Sequence, residues 1–582
     1  MQLRRRNLAR CLFHDQDYVL FGLFFVAFGV RISGIGFGLP NLLCRPDEYH
    51  IIMIALKFFR GDLNPHFFNY PTFYMYFIFL IYVGYVFIFW ISGHSLSEFL
   101  VEIATSPANF FLFARGVSAF LGSLTIFPVY YITLDLTRSK QSARLSAAFM
   151  SLLYLHVRDA HFATTDVTMT CWIAWAVWFL LQAYTNLQYR VLIFAGIFTG
   201  LSIATKYAGI FLIIPMVTVE LIRIGAVQSP LASFRHLVRR THAYLPHVCF
   251  SKRLWLFTGV SIGVFFVWSP FVFLDIRTFW HDVMFEFAHV TQAQGVNSLR
   301  GWGYHLRYTL PYSMGWPFFL IALVGSILSF MRDPRQSSII LSFPLFYFII
   351  AGKGLTVFVR YMIPMLPFFC VLGAFCVSEF ARMIPPHLWR KPLLIILTIV
   401  VIWPSVKNVY QYNRLLSQKD TRVIAAEWII EHLPDKSYIY RTGTLFGQVQ
   451  FPYAIEALTT NYKKIVQQGG SGVLVDIQIK AALNTPDYKG FFDWEYSIKN
   501  VMSGNLPDYI ILQKSPLLGR DSVPDGIERL IDEQYCLIKT FEAGNIRHKE
   551  NWYDQMDTFY LPFHGFYEIE RPGPNLHIYR RV

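Results

Sequence analysis

Charge is what this chain has least of. Only 15% of its 582 residues are Asp, Glu, Lys or Arg, while 54% are hydrophobic and 18% aromatic. A soluble globular chain carries nearer a quarter charged residues, so that class is excluded for most of the length. Cysteine is sparse as well. Seven are scattered with no C-x-x-C, which removes a zinc ribbon or a dense disulfide framework. Cys171, Cys370 and Cys376 lie in apolar runs and read as packing residues, and a bridge between Cys44 and Cys536 stays open from sequence alone. The chain has no P-loop, no G-x-G-x-x-G opening a helix and no H-E-x-x-H. Nucleotide binding is therefore not indicated, and a sugar nucleotide is not the expected donor. Internal repeats and low-complexity tracts are absent too.

What is present is long apolar runs. Each approaches the ~20 residues a bilayer demands, and they fall at 18–39, 110–136, 142–158, 166–186, 190–205, 206–222, 254–273, 314–331, 338–352, 358–381 and 391–406, with a further run at 72–92. The first run follows Arg4-Arg5-Arg6 with no A-x-A site and reads as an uncleaved helix. The net charge of +14 sits largely in short loops between runs, which is the positive-inside pattern and not a nucleic-acid footprint. If all the runs cross, the loop holding Arg138, Lys140 and Arg144 falls opposite Arg4–Arg6. If 72–92 does not cross, the basic loops at 1–10, 137–144, 223–253, 332–336 and 382–391 share the inner face. The sequence thus predicts a polytopic α-helical membrane protein with about 11 transmembrane helices over 1–406. It also predicts a first outer loop at 40–71 and a re-entrant or juxtamembrane segment at 72–92, rich in Tyr74, Tyr76, Tyr82 and Tyr85.

Residues 407–582 have a different texture. Asp420-Thr421-Arg422 opens a helix ending near Pro434, and SYIYRT and PDYIILQ read as strands. A soluble α/β domain on the outer face is expected.

That topology places several polar groups on the outer face. Asp47-Glu48 follows Pro46 and precedes an amphipathic segment with Ile51, Ile54, Ala55, Phe58 and Phe59 at helical spacing. Asp47 is either a helix cap or a general base, since a carboxylate at an apolar boundary suits proton abstraction from a hydroxyl. Arg158, Asp159, His161 and Asp166 crowd one short loop. Asp166 either caps the next helix or is a second catalytic acid, while Arg158 or His161 either edges the membrane or meets a phosphate. Lys206, Lys353 and Arg360 are snorkelling anchors or cations for a phosphate leaving group. Glu48, His50, His66, His289 and His305 could ligate a metal, but no ligand spacing appears, so no metal or other cofactor is expected.

Together these pieces resemble a known family. P-D-E at 46–48 and G-D-L-N-P-x-x-F-N-Y-P-T at 61–72 come first. They are followed by A-R-G-V-S-A at 114–119, H-V-R-D-x-H-F-A-T-T-D-V at 156–167, G-L-S-x-A-T-K-Y at 200–207 and R-Y-x-x-P-x-x-P at 360–367. This order is similar to the phospholipid carrier-dependent glycosyltransferases of the GT-C fold, relatives of protein O-mannosyltransferases and of the enzyme that adds aminoarabinose to lipid A. The resemblance implies a polyprenyl- or dolichyl-phosphate sugar donor and inverting transfer of a hexose or pentose to an acceptor hydroxyl, on a protein, lipid or glycan. It implies Asp47 as base and Asp166 as second acid. Glu48, Arg158, His161, Lys206, Lys353 and Arg360 fall in the substrate-binding set. Relatives that carry His before P-D-E differ from this chain, where Arg45 could add a phosphate contact. The absence of an N-x-[ST] sequon leans towards a bacterial inner membrane, with the site facing the periplasm or exterior. A lipid-linked sugar transporter or flippase, or a non-catalytic scaffold, is the alternative.

Overall fold

The computed structural model describes residues 17–186, 188–225, 244, 246–291, 301–385 and 390–582. Arg4–Arg6, Arg235, Arg239 and Arg240, which entered the charge argument, lie outside the described residues. The chain forms two compact units. One comprises residues up to 32, 54–77 and 116–410; the other comprises 33–53, 78–115 and 411–582.

Among its described residues the first unit is built of helices joined by short turns and loops. By length and composition, five helices among the described residues can cross a membrane: Phe73–Ile91, Ala108–Thr137, Thr165–Thr185, Val359–Met383 and Lys391–His432. A sixth span exists if the pair Gly301–Met314 and Trp316–Arg332, bent by 109°, is counted as one. The chain is thus a polytopic helical membrane protein, but the other expected spans are shorter or interrupted. The run at 142–158 breaks into Lys140–Leu152 and Tyr154–Asp159, because Leu153 is extended (φ −74°, ψ 116°). Such a break strands backbone groups that lipid cannot satisfy. Buried Arg31 answers it, donating to the carbonyls of Met150 and Ser151 at 3.0 Å each, and the Ser405 hydroxyl accepts from the Tyr154 amide at 2.8 Å. The run at 206–222 is a 3-10 turn, Tyr207–Leu212, followed by Ile213–Arg223. The connection after Leu274 is helical at Ile276–Thr291 and Gly301–Tyr304.

Small residues set the helix spacing. On Tyr189–Thr205, Gly196 and Gly200 face Lys252–Trp268 with four-residue spacing, the pattern that lets two membrane helices approach closely. A Cβ on Gly200 would lie 2.6 Å from both the Ser261 carbonyl and the Val264 Cβ.

The second unit is built on a sheet from the tail. Its strands are β1 (Tyr438–Arg441), β2 (Phe492–Asp493), β3 (Tyr509–Lys514), β4 (Tyr535–Phe541) and β5 (Asn575–Arg581), in the order β2-β1-β3-β5-β4. β1 is parallel to β2 and β3, and β5 is antiparallel to β3 and β4. Alternation along β3 sends Ile511 to one face, with Ala425 and Ile429 of helix Thr421–His432, and Ile510 to the other, with Ile527 and Leu530 of helix Asp525–Gln534. Cover on both faces explains why the strand reads as one apolar run.

Helix Phe73–Ile91 is a single unbroken stretch of 19 residues, which corrects the re-entrant shape, since re-entry requires a break. The helix after it, Leu96–Thr105, lies against the tail: Gln478 Nε2 donates to the Ala104 carbonyl at 2.9 Å. The loop before Pro46 lies against the tail as well, with the Leu42 amide donating to Gln450 Oε1 at 3.1 Å.

Overpacking the glycine seam tests this arrangement. Gly200→Val is expected to lower stability by about 1–3 kcal/mol, measured as thermal unfolding in detergent. Gly259→Val, where nothing lies within 4 Å of the added Cβ, is expected to leave it within about 0.5 kcal/mol.

Candidate functional site

In the second unit, helix Pro46–Lys57 begins with proline at its first position, where a missing N–H costs nothing. Asp47 is half-buried in the first turn, and the Arg45 carbonyl accepts from the Tyr49 amide at 3.3 Å. Arg45, not Asp47, therefore occupies the capping position, and the capping reading of Asp47 is corrected.

Two ion pairs bracket Asp47. Glu48, fully buried, receives Arg115 Nε and Nη2 at 2.8 Å each. Arg115 Nη1 also donates to the carbonyls of Ile35 (2.8 Å) and Phe37 (2.9 Å), with its guanidinium 3.9 Å from the centre of the Phe37 ring. Glu48 thus ties the start of this helix to Arg115. Arg115 went unremarked in the sequence except as part of a motif. A lone arginine in an otherwise apolar helix is itself a signal, because such a charge needs a partner. On the other side, Arg45 Nη1 lies 2.6 Å from Asp557 Oδ2 and donates to the Asp557 carbonyl at 3.0 Å, with both side chains fully buried. That pairing, not a phosphate, is what its charge meets.

Cys44 is buried beside this loop, and burial pushes its thiol up to about 12. Cys536 is exposed and both thiols are free, so the bridge between them is not formed.

In the first unit, Asp166 lies in the first turn of Thr165–Thr185, whose cap position is Thr164. Lys206 Nζ donates to Asp166 Oδ1 at 2.7 Å, and Arg360 Nε lies 4.0 Å from Oδ2. Lys206 leaves the end of Tyr189–Thr205 in extended conformation (φ −155°), and Arg360 sits in the 3-10 turn Val359–Met365. Both cations are delivered by interruptions in helices, where a side chain can turn across the bundle. The rings of Tyr70 and Tyr361 stand 5.8 and 5.4 Å from Lys206 Nζ. Asp166, Lys206 and Arg360 thus meet at a helix N-terminus, a place suited to an anion. The Asp166 side chain is 4% exposed, Arg360 9% and Lys206 18%, so the lysine is the most accessible of the three.

The other candidates fare differently. Arg158 is buried against Asp159 at 2.9 Å, and buried His161 donates from Nδ1 to the Val157 carbonyl at 2.8 Å. Lys353 is exposed on the turn after Pro334–Ala351. Among the described residues no group of three or more His, Cys, Asp or Glu could hold a metal. His66 bonds Asp62 at 2.9 Å, His305 Nδ1 lies 3.0 Å from Thr309 Oγ1, His50 is exposed, and the His289 side chain lies outside the described residues. An apolar cavity of about 490 Å³ lies among Leu310, Phe319, Leu323, Phe348, Met365 and Phe369, and Met365 ends the turn that carries Arg360.

Removing one partner of a buried pair leaves a bare charge. Arg115→Met is expected to destabilise the protein by about 3–5 kcal/mol, and Glu48→Gln/Arg115→Met to recover much of that, read as unfolding temperature in detergent.

The model of one protein family, described as dolichyl-phosphate-mannose-protein mannosyltransferase, matches residues 85–270, about a third of the chain. No curated protein sequence matches it significantly. Among solved structures, ArnT from Cupriavidus metallidurans bound to undecaprenyl phosphate is similar at 12% identity and TM-score 0.49, covering 98% of each chain. The oligosaccharyltransferase of Archaeoglobus fulgidus is similar at 13% identity and TM-score 0.48, covering 97% of this chain and 88% of that one. The S. cerevisiae Pmt1-Pmt2 complex bound to the sugar donor covers 48% of this chain and 35% of its own, at 17% identity and TM-score 0.30. These overlaps are too loose to carry residue correspondences. The resemblance to GT-C glycosyltransferases rests on the ordered motifs from Arg31 to Pro367 and on the family model over 85–270.

Proposed function

We propose that this chain moves a sugar from a polyprenyl-phosphate donor to an acceptor hydroxyl on the outer face of its membrane. The observation that carries the reading is the cluster of Asp166, Lys206 and Arg360: two cations share one carboxylate, with the lysine partly accessible. A phosphate on a lipid is held by charge-assisted donors of this kind. The apolar cavity that begins at Met365 is of the kind that takes a prenyl chain. Asp166 holds the two cations in place, and they stabilise the charge that develops on the departing phosphate.

In this reading Asp47 removes the proton of the acceptor hydroxyl. The freed oxygen bonds to the anomeric carbon as the bond from that carbon to the phosphate oxygen breaks. The electron pair leaves with the lipid phosphate, and the configuration inverts. The membrane-anchored donor arrives already oriented.

The outer-face assignment draws on the two flanks of Phe73–Ile91. Leu42 before it and Ala104 after it both bond to the tail domain. One crossing between them would set these contacts on opposite sides of the bilayer, so residues 72–92 are read as juxtamembrane although the helix is long and apolar enough to cross. The basic loops put the tail on the outer face. The basic loops and the absence of a sequon favour a bacterial inner membrane. A transporter would share the 109° bend at Gly315, but nothing else here favours it.

Single-turnover transfer from a radiolabelled polyprenyl-phosphate sugar pool in membranes tests the reading. Asp47→Asn is expected to slow release of lipid phosphate by about 10² to 10⁴ while the protein still binds undecaprenyl phosphate. Near-full transfer by this variant would sink the assignment of the base. Tight lipid binding with no transfer by wild type would favour a transporter or scaffold.

A further inference from the structure

The tail domain holds the loop that carries Asp47. We propose that Asp557 is a positioning residue for the transfer reaction, acting through Arg45 to set the start of helix Pro46–Lys57. The proposal rests on the reading of Asp47 as base.

The geometry is specific to this junction. Arg45 is two residues before Asp47, its carbonyl accepts the first bond of the helix, and its side chain is gripped twice by Asp557, through carboxylate and carbonyl. Both side chains are fully buried. A buried pair of this kind constrains direction, because either charge left alone in a dry site is heavily penalised. Three further contacts tie the same loop to the same domain. The Leu42 amide donates to Gln450 Oε1 at 3.1 Å, Asn41 Nδ2 donates to the Gln448 carbonyl at 3.5 Å, and the rings of Phe37 and Phe559 meet edge to face at 5.7 Å. Asp557 also sits beside strain. Thr558, β-branched and 4% exposed, has φ +44°, a region that such a residue adopts only when its surroundings force it. The tail backbone is bent so that the Asp557 carboxylate and carbonyl both reach Arg45.

The loop's other anchor, Glu48 to Arg115, acts one residue beyond Asp47. The base is therefore set from both sides, and the Arg45 side is gripped directly by a tail side chain. Shifting a reacting group by about 1 Å can slow a reaction roughly 10²-fold. The tail domain is thus part of the catalytic apparatus without touching substrate.

The test uses the full-length protein in membranes and in detergent, with Asp557→Asn, Arg45→Met and Asp47→Asn. Three readouts separate positioning from general damage: single-turnover transfer from the radiolabelled donor pool, competition by undecaprenyl phosphate, and hydrogen exchange of intact protein. Asp557→Asn and Arg45→Met are expected to slow transfer by about 10- to 100-fold, with the competing lipid concentration unchanged within about twofold. Faster exchange should be confined to residues 41–57, with the tail sheet still protected. Transfer within twofold of wild type would overturn the proposal. So would weakened lipid competition together with exchange spread through the tail, the pattern of a merely structural contact. If Asp47→Asn abolishes transfer while Asp557→Asn does not, the positioning role alone fails. If Asp47→Asn transfers normally, the reading of the base fails. Should wild type transfer nothing from the pool, exchange decides: unchanged protection of 41–57 in Asp557→Asn removes the proposed constraint.

Discussion

A charge in or beside a bilayer has no water to neutralise it, so it must be paired. The placement of functional side chains in this protein follows from that constraint. Arg31 is absorbed by the carbonyls of Met150 and Ser151 where a helix breaks. Arg45 is taken by Asp557, Arg115 by Glu48 and Arg158 by Asp159. One carboxylate takes two cations at Glu220, with Arg223 and Arg253, and at Glu379, with Arg332 and Arg382. At Asp166 the two cations come from interruptions in helices. There Asp166 faces Lys206 and Arg360, and in the proposed function these two cations meet the lipid phosphate.

This pairing also sets which partners each candidate has in the structure. From sequence, Glu48, Arg158 and His161 looked as available as Lys206 and Arg360, since all are polar groups at ends of apolar runs. The distinction lies in partners that are distant along the chain, such as Arg115 for Glu48, 67 positions away. Arg45 shows the same limit more sharply. Its partner Asp557 is 512 positions further along the chain, in the region where family motifs are weakest, and no local pattern announces it. A phosphate contact was the reasonable local reading, and burial reverses it.

Much of the architecture was legible where physics is local. The apolar runs at 166–186 and 190–205 became helices Thr165–Thr185 and Tyr189–Thr205 almost residue for residue. The tail helix after Asp420 and the strands in SYIYRT and PDYIILQ formed where turn and cap residues placed them. Misreadings gathered where tertiary contacts compensate a broken rule. Leu153 interrupts a run that reads as continuous because Arg31 and Ser405 satisfy the freed backbone. In the connection after Leu274, Asp282 and Glu286 are likewise occupied by the Phe68 amide and the Asn69 side chain.

The central claim is that Lys206 and Arg360, held by Asp166, seat a lipid phosphate. Its most direct measurement is the affinity of detergent-solubilised protein for undecaprenyl phosphate, compared between wild type, Lys206→Met and Arg360→Met. The account predicts at least a roughly tenfold loss of affinity in each variant, as expected when one charge-assisted contact to an anion is removed, with the folded protein's unfolding temperature little changed. Affinity equal to wild type in both variants would contradict it and move the donor phosphate to another part of the molecule.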